Sequence, residues 1–544
     1  MLFLADFVDT LLRGAVLVGL SLVLGGIAWA LWVLRPWQRP ASKAAVGLDL
    51  TLVCAGAATV AIGQTILLIL KALVLSESFD SDVLGSFVVT QHFLAAAVRI
   101  LVALVVATAV LWLRRAPDRT ARWLVVTILS VALAASGAWL THATGRLEDR
   151  AVLMTLTALH QAAAAVWVGG LFHLAGCWWL ARRKPTLDVL WPELVGRFSR
   201  LALTSVIVLV FAALPVAWMY TASVSGLVGT GYGALVLTKV ALMGAALLLA
   251  AFNWKSARKR ADPGKAGTLR TRLPHLVEAE AIILVMILLT AATLSAQPPS
   301  VDLAAAHRAT LGEVVEVFRP KLPSLRTPSV EIMRVDRAAT AGAIVARSRA
   351  AYLWSNYSHN VAGLILLGMS LVALGGPLVR PGLARHWPLG FVALAVFLYL
   401  RASANEGTWP FGAVPLSQVG AEGVQHRIAA MLVLALGVLE WRVRAHSERG
   451  RLLPYVLPAL AAVGAALLLT HSHTAFQPKS SFLVQVTHTT MGALAVLLVA
   501  ARWLELRLGP PANRLAGFAA SGAMLAIALV LVFYREANIV IPPD

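Results

Sequence analysis

The chain is poor in cysteine and in charge. Its two cysteines, Cys54 and Cys177, both lie in apolar stretches. They build no CxxC, no zinc knuckle and no disulfide framework, and read as small buried hydrophobes. Charged residues make up 13% of 544 positions, against about 25% in an ordinary soluble domain. A string of water-soluble domains is therefore excluded. The 10 methionines are scattered, with no MxxxM pattern, so a thioether relay for a soft metal ion has no support. No Walker A loop, GxSxG elbow or HExxH occurs. That leaves out P-loop ATPases, serine hydrolases of the elbow type and zincins. Covalent c-type haem would need CxxCH, which is also missing.

What is present is apolar length. Hydrophobic residues form 59% of the chain, and mean hydropathy is +0.79. A spanning helix needs roughly 20 mostly apolar residues. About fourteen windows qualify: 10–34, 48–76, 87–113, 121–142, 153–180, 198–224, 233–254, 277–297, 357–377, 386–403, 424–441, 453–472, 481–504 and 513–534. The predicted fold class is all-α, a polytopic transmembrane helical bundle in contact with membrane lipid. The first window has no basic leader and no cleavage site, and reads as a retained helix.

The formal net charge of +20 reads as an orientation code, with no need for nucleic acid. Arg and Lys concentrate in alternate loops, as at 114–122, 255–265 and 442–451. The positive-inside rule then puts both termini on the periplasmic side of a bacterial inner membrane. The basic loop over 298–356 would also lie outside, and its length places it near the limit of that rule. Pro298-Pro299 and the RPKLP run at 319–323 predict an extended, ordered connector.

The sequence also repeats itself. Segment 89–115 resembles 423–444, 132–145 resembles 462–475, and 156–171 resembles 484–499. Histidines recur in register: His92 with His426, His142 with His471, and His160 with His488, at offsets of 334, 329 and 328. Windows 1–6 thus match windows 9–14 as parallel repeats. The expected organisation is a first membrane half over 1–297, a periplasmic connector over 298–356, and a second half over 357–544.

Eight of the 13 histidines gather at one membrane face: His92, His142, His160, His359, His426, His471, His473 and His488. Ionisable groups at membrane depth are costly and usually functional. Three imidazoles on neighbouring helices fit a first shell for copper or zinc. The same pattern fits bis-histidine haem b, with Arg99, Arg146 and Arg427 as partners for propionates. A structural subunit whose histidines only cap helices is the plain alternative. Lys71 reads as a snorkelling side chain, and His173, after Gly169-Gly170, as either core or site.

Several motifs resemble the copper resistance protein D family. They are LHQAAAAVWVGGL (159–171), GTGYGALVLTKVALM (229–243) and AAFNWKSARKR (250–260), which resemble the family's core over about 150–297. QHR (425–427), EWRVR (440–444), LLLTHSHTA (467–475), THTTMGAL (487–494) and ARWLELRL (501–508) resemble its long, two-half form. The resemblance implies copper as cargo and a role in copper uptake or resistance. It also implies a separate periplasmic copper-binding chaperone of the copper resistance protein C type. It points most firmly to His142, His160, His471, His473 and His488. An electron-transferring b-type cytochrome remains the enzyme-class alternative.

Overall fold

The computed structural model describes residues 2–35, 42–79, 82–183, 191–258, 266–333, 349–376, 385–419, 421–446, 453–470 and 478–536, with the single positions 335 and 382. Among them all regular structure is helical. That follows from the composition: in hydrocarbon every backbone N–H and C=O must be paired, and a helix does this within one segment. Thirteen of the described helices are long and apolar enough to cross a membrane. The window at 424–441 also forms a helix, but it lies outside those thirteen. It carries Arg427 and Glu440 within it and Arg442 and Arg444 at its end.

The chain divides into two compact units, Met1–Ser223 with Leu242–Asp302, and Val224–Ala241 with Leu303–Asp544. In the first unit the long helices are α1 (Leu2–Trp29), α2 (Ser42–Ser78), α3 (Gln91–Arg114), α4 (Thr120–Ala138), α5 (Arg150–Ala181) and α6 (Trp191–Thr221). After α7 (Gly231–Arg258), which the unit boundary crosses, comes α8 (Ala266–Ala296). Neighbours in sequence pack together: α1 on α2, α2 on α3, α3 on α4 and α5 on α6. Helix α1 also lies against α5 and α8.

Glycine sets the closest of these contacts. A Cβ at Gly169 of α5 would stand 1.7 Å from the Ser21 carbonyl oxygen of α1, and one at Gly25 would stand 2.4 Å from Gly169 Cα. Only hydrogen fits between the two backbones. This is how small residues let membrane helices associate without a hydrophobic drive from water. The outward faces remain apolar. On α3, Ala96, Ala103, Val106 and Val110 are buried, while Leu94, Val98, Leu101 and Leu104 are exposed. A helix that is apolar all round belongs in lipid.

The second unit holds α9 (Leu311–Phe318), α10 (Arg349–Leu374), α11 (Leu389–Glu406), α12 (Ala421–His446), α13 (Leu453–Thr470), α14 (Pro478–Arg507) and α15 (Ala512–Val532). The serial packing recurs from α10 through α15, and α10 packs most extensively on α15. The EWRVR and ARWLELRL motifs fasten α12 to α14. Buried Glu440 accepts from Arg444 one turn on and from Arg502 at 2.7 Å, and Arg502 also reaches Glu505 at 2.7 Å. Burial makes such a network worthwhile only because its carboxylates and guanidiniums satisfy one another.

The expected extended connector contains a two-turn helix, α9. Thr310 and Glu313 form a reciprocal capping box at its start. Val317 then packs with Ala309, Ala234, Phe482 and Leu483. Lys479 adds an ion pair to Glu313 at 2.6 Å.

Candidate functional site

The second unit brings two of the candidate histidines together. His359 and His488 each lie ten positions beyond the first residue of their helices, α10 and α14. Their ring centroids are 5.7 Å apart with planes at 88°. Each Nδ1 sits 2.9 Å from the carbonyl oxygen one turn back, Ser355 for His359 and Val484 for His488. A carbonyl only accepts, so each Nδ1 carries the proton and each lone pair resides on Nε2. A backbone bond of that kind fixes the tautomer of an imidazole and leaves Nε2 as its only possible donor to a metal.

Tyr534, just past α15, completes the cluster. Its ring stacks on His359 at 4.0 Å and meets His488 edge-on at 6.3 Å. The hydroxyl donates to buried Glu536 Oε1 at 3.3 Å, and Ser355 Oγ donates to the same oxygen. Asn360 of α10 holds this segment, donating to the Leu531 and Tyr534 carbonyls at 3.0 Å each. The Glu536 backbone N–H donates to Asn356 Oδ1 at 3.0 Å.

The first unit disperses its histidines. His92 begins α3 behind the Thr90 N-cap, and Lys71 of α2 donates to its Nε2 at 2.8 Å. Lys71 therefore has a specific partner instead of the expected snorkelling role. His142 lies in a short turn, His142–Gly145, beyond the end of α4. Its ring meets Tyr220 edge-on at 6.5 Å. Its Nε2 is buried with no hydrogen-bond partner among the described residues. Burial first, then the positive charges of Arg13 and Arg146, push its pKa below the usual histidine value. The neutral imidazole is the form that binds metal. His160 Nδ1 donates to the Leu209 carbonyl at 3.4 Å.

The arginines offered for propionates are engaged elsewhere or shut in. Arg146 pairs with Asp302 at 2.8 Å and lies over the Tyr220 ring. Arg99 is buried, with Nη1 only 2.4 Å from where a Cβ of Gly137 would be. Arg427 donates to Thr408 Oγ1 at 2.6 Å, and its neighbour His426 is half-buried on α12. His471 and His473 lie outside the described residues. Among the described residues no three His, Cys, Asp or Glu side chains converge on one point, so His92, His142 and His160 do not form a three-imidazole shell.

Sequence reading missed several polar residues that the fold selects. Asp49 and Glu280 are buried within membrane-length helices, and Glu280 accepts from Asn253 Nδ2 at 2.9 Å. Each could have been found as a carboxylate inside an apolar window. Tyr220 and Tyr534 had a subtler signal. Arg200-Leu201-Ala202 recurs as Arg514-Leu515-Ala516 at an offset of 314, and that offset carries Tyr220 onto Tyr534. Both tyrosines pack against a candidate histidine.

This is a polytopic membrane protein in which the His359–His488 pair and His142 lie beside the rings of Tyr534 and Tyr220. Residues 192–294 match the family described as Copper resistance protein D, a narrower span than the core expected from sequence. Through this segment, which runs from α6 into α8, the chain is similar to the copper resistance protein D family. Over 176 residues it is 31% identical to the copper transport protein CutJ of Bacillus subtilis (strain 168), covering 32% of this chain and 31% of that protein. The match thus spans about a third of the curated relative's length. No solved structure matches the chain. The family segment contains a single histidine, His275, so the candidate histidines all lie outside it. Neither description concerns haem, and the haem reading gains no support.

Proposed function

We propose that the protein handles copper as cargo in a bacterial inner membrane, with the histidine-bearing helix ends and both termini facing the periplasm. The observation that carries this reading is the His359–His488 pair. Two neighbouring imidazoles, each with Nδ1 donating to a backbone carbonyl, present Nε2 lone pairs suited to copper. His142, neutral and with Nε2 buried and unpartnered among the described residues, offers the corresponding donor in the first unit. His160, His426, His471 and His473 are the further positions the repeat supplies. Lys71 holds the Nε2 of His92, so His92 joins only if that bond opens.

In this account windows 1–6 and 9–14 are duplicates, with windows 7 and 8 as an insert, and a separate periplasmic copper-binding protein of the copper resistance protein C type delivers the ion. The chain's matches to a copper resistance family and to a copper transport protein support the cargo. Cells expressing the full chain are expected to accumulate more copper than cells expressing the His359→Ala, His488→Ala double variant at equal membrane abundance. Equal accumulation by the two would contradict the proposal.

A further inference from the structure

Inside the membrane part of the first unit lies a pair of ionisable side chains that the copper histidines do not explain. His173 of α5 and Asp49 of α2 are each 1% exposed, and Nδ1 stands 2.7 Å from Oδ1. His173 Nε2 lies 3.0 Å from the Leu22 carbonyl oxygen of α1. Both positions are about two turns from the ends of their spans, since α2 begins at Ser42 and α5 finishes at Ala181. Gly26 makes the room: a Cβ there would stand 2.7 Å from His173 Nε2.

The geometry restricts what the pair can bind. Leu22 oxygen only accepts, so Nε2 keeps its proton. Nδ1 faces the carboxylate. Both ring nitrogens are thus committed, and a metal ion would have to break one of these contacts. A single proton between Nδ1 and Oδ1 keeps the pair neutral, whether it rests on nitrogen or on oxygen. Removing it leaves one net negative charge in a dry, apolar place, where Nδ1 touches Oδ1 at 2.7 Å but neither Asp49 oxygen has an aligned hydrogen-bond donor among the described residues. That state is costly unless the surroundings change. On α5 the titratable neighbour is Cys177, one turn from His173 and within electrostatic reach of Asp49. On α8, Glu280 faces α5 through a bond from Trp167. Helix α1 brings the Leu22 carbonyl and Gly26 to His173 Nε2.

The fold does not demand this pair. The repeat offset of 328 that carries His160 to His488 carries His173 to Ala501. The second unit builds the corresponding helix, α14, with a methyl group there.

We propose that Asp49 and His173 form a proton-binding site that takes up and releases one proton as the protein moves copper. Release breaks the Nδ1–H bond and passes the proton to water, leaving aspartate and a neutral imidazole; uptake reverses this. Exchange requires the contact among α1, α2 and α5 to open. The inference rests on the transport reading, and its test keeps the two apart.

The full chain, wild type and Asp49→Asn, is examined by infrared difference spectroscopy between about pH 5 and 9, the span in which histidine and a buried carboxyl exchange protons. A carboxyl signal that titrates in wild type, shifts in His173→Gln and is lost in Asp49→Asn is expected. A wild-type spectrum without a titrating carboxyl overturns the site, whether or not copper moves. The same proteins in vesicles carrying a pH-sensitive dye are then given copper. Copper movement with a linked pH change, reduced at least about tenfold in Asp49→Asn, is expected. Wild-type copper movement with no pH change overturns the coupling. Absence of copper movement overturns the transport reading and the coupling with it, while the infrared titration still decides the site.

Discussion

The imidazole of His359 stacks on the phenol of Tyr534 at 4.0 Å, with ring planes 27° apart. This contact ties α10 to the segment beyond α15 and orients one of the two imidazoles that meet in the second unit. Tyr534→Ala should loosen the ring and lower copper retention several-fold. Tyr534→Phe keeps the stacking surface and loses the hydroxyl bond to Glu536, so retention should stay near wild type. Equilibrium dialysis of the purified variants against copper distinguishes these outcomes.

His92 and His142 should behave differently although sequence placed them in one group. Lys71 occupies His92 Nε2 at 2.8 Å, whereas His142 Nε2 is buried without a partner among the described residues. Copper retention should be unchanged in His92→Ala and reduced in His142→Ala. Equal loss in both would show that the Lys71 contact opens on binding.

His142 also predicts a pH dependence with a definite sign. Its folded pKa lies below the ordinary value of about 6.5. The folded protein therefore binds fewer protons there than the unfolded chain, and stability rises with pH. The contribution is complete above about 6.5 and falls as the pH drops below it. His142→Gln should flatten the pH dependence of the thermal midpoint on the acid side of neutrality. Midpoints measured at pH 5 and 7 test this.

Close packing of α1 on α5 predicts a sharp contrast between two glycines of one helix. A Cβ at Gly169 would stand 1.7 Å from the Ser21 oxygen, whereas one at Gly176 would meet nothing nearer than 3.4 Å. Gly169→Ala should destabilise by the cost of overpacking, about 1–3 kcal/mol or more. Gly176→Ala should be neutral or slightly stabilising, since alanine is the better helix former. Thermal unfolding of both in the same detergent checks the contrast.

Much of this architecture was legible because the membrane simplifies the code. Apolar runs such as 87–113 must be helical, and the described helix over 91–114 follows. The site was harder to read. The register of His160 and His488 was visible, yet the actual partner of His488 is His359, which lies outside the repeated histidines. With Gly25-Gly26 aligned on Gly375-Gly376, position 359 corresponds to Asp9, which pairs with Arg13. Proximity across α10 and α14 depends on packing that no spacing along the chain encodes. Asp49 was passed over because one carboxylate barely alters the hydropathy of a long apolar window. Its meaning appears only when α5 sets His173 beside it.

The central claim is that copper is held by the imidazoles of this membrane protein. X-ray absorption at the copper edge on the purified, copper-loaded full chain tests it most directly. The account predicts imidazole nitrogen in the first shell, with that contribution diminished in His359→Ala, His488→Ala. A first shell unchanged by these substitutions, or one dominated by sulfur, would contradict it.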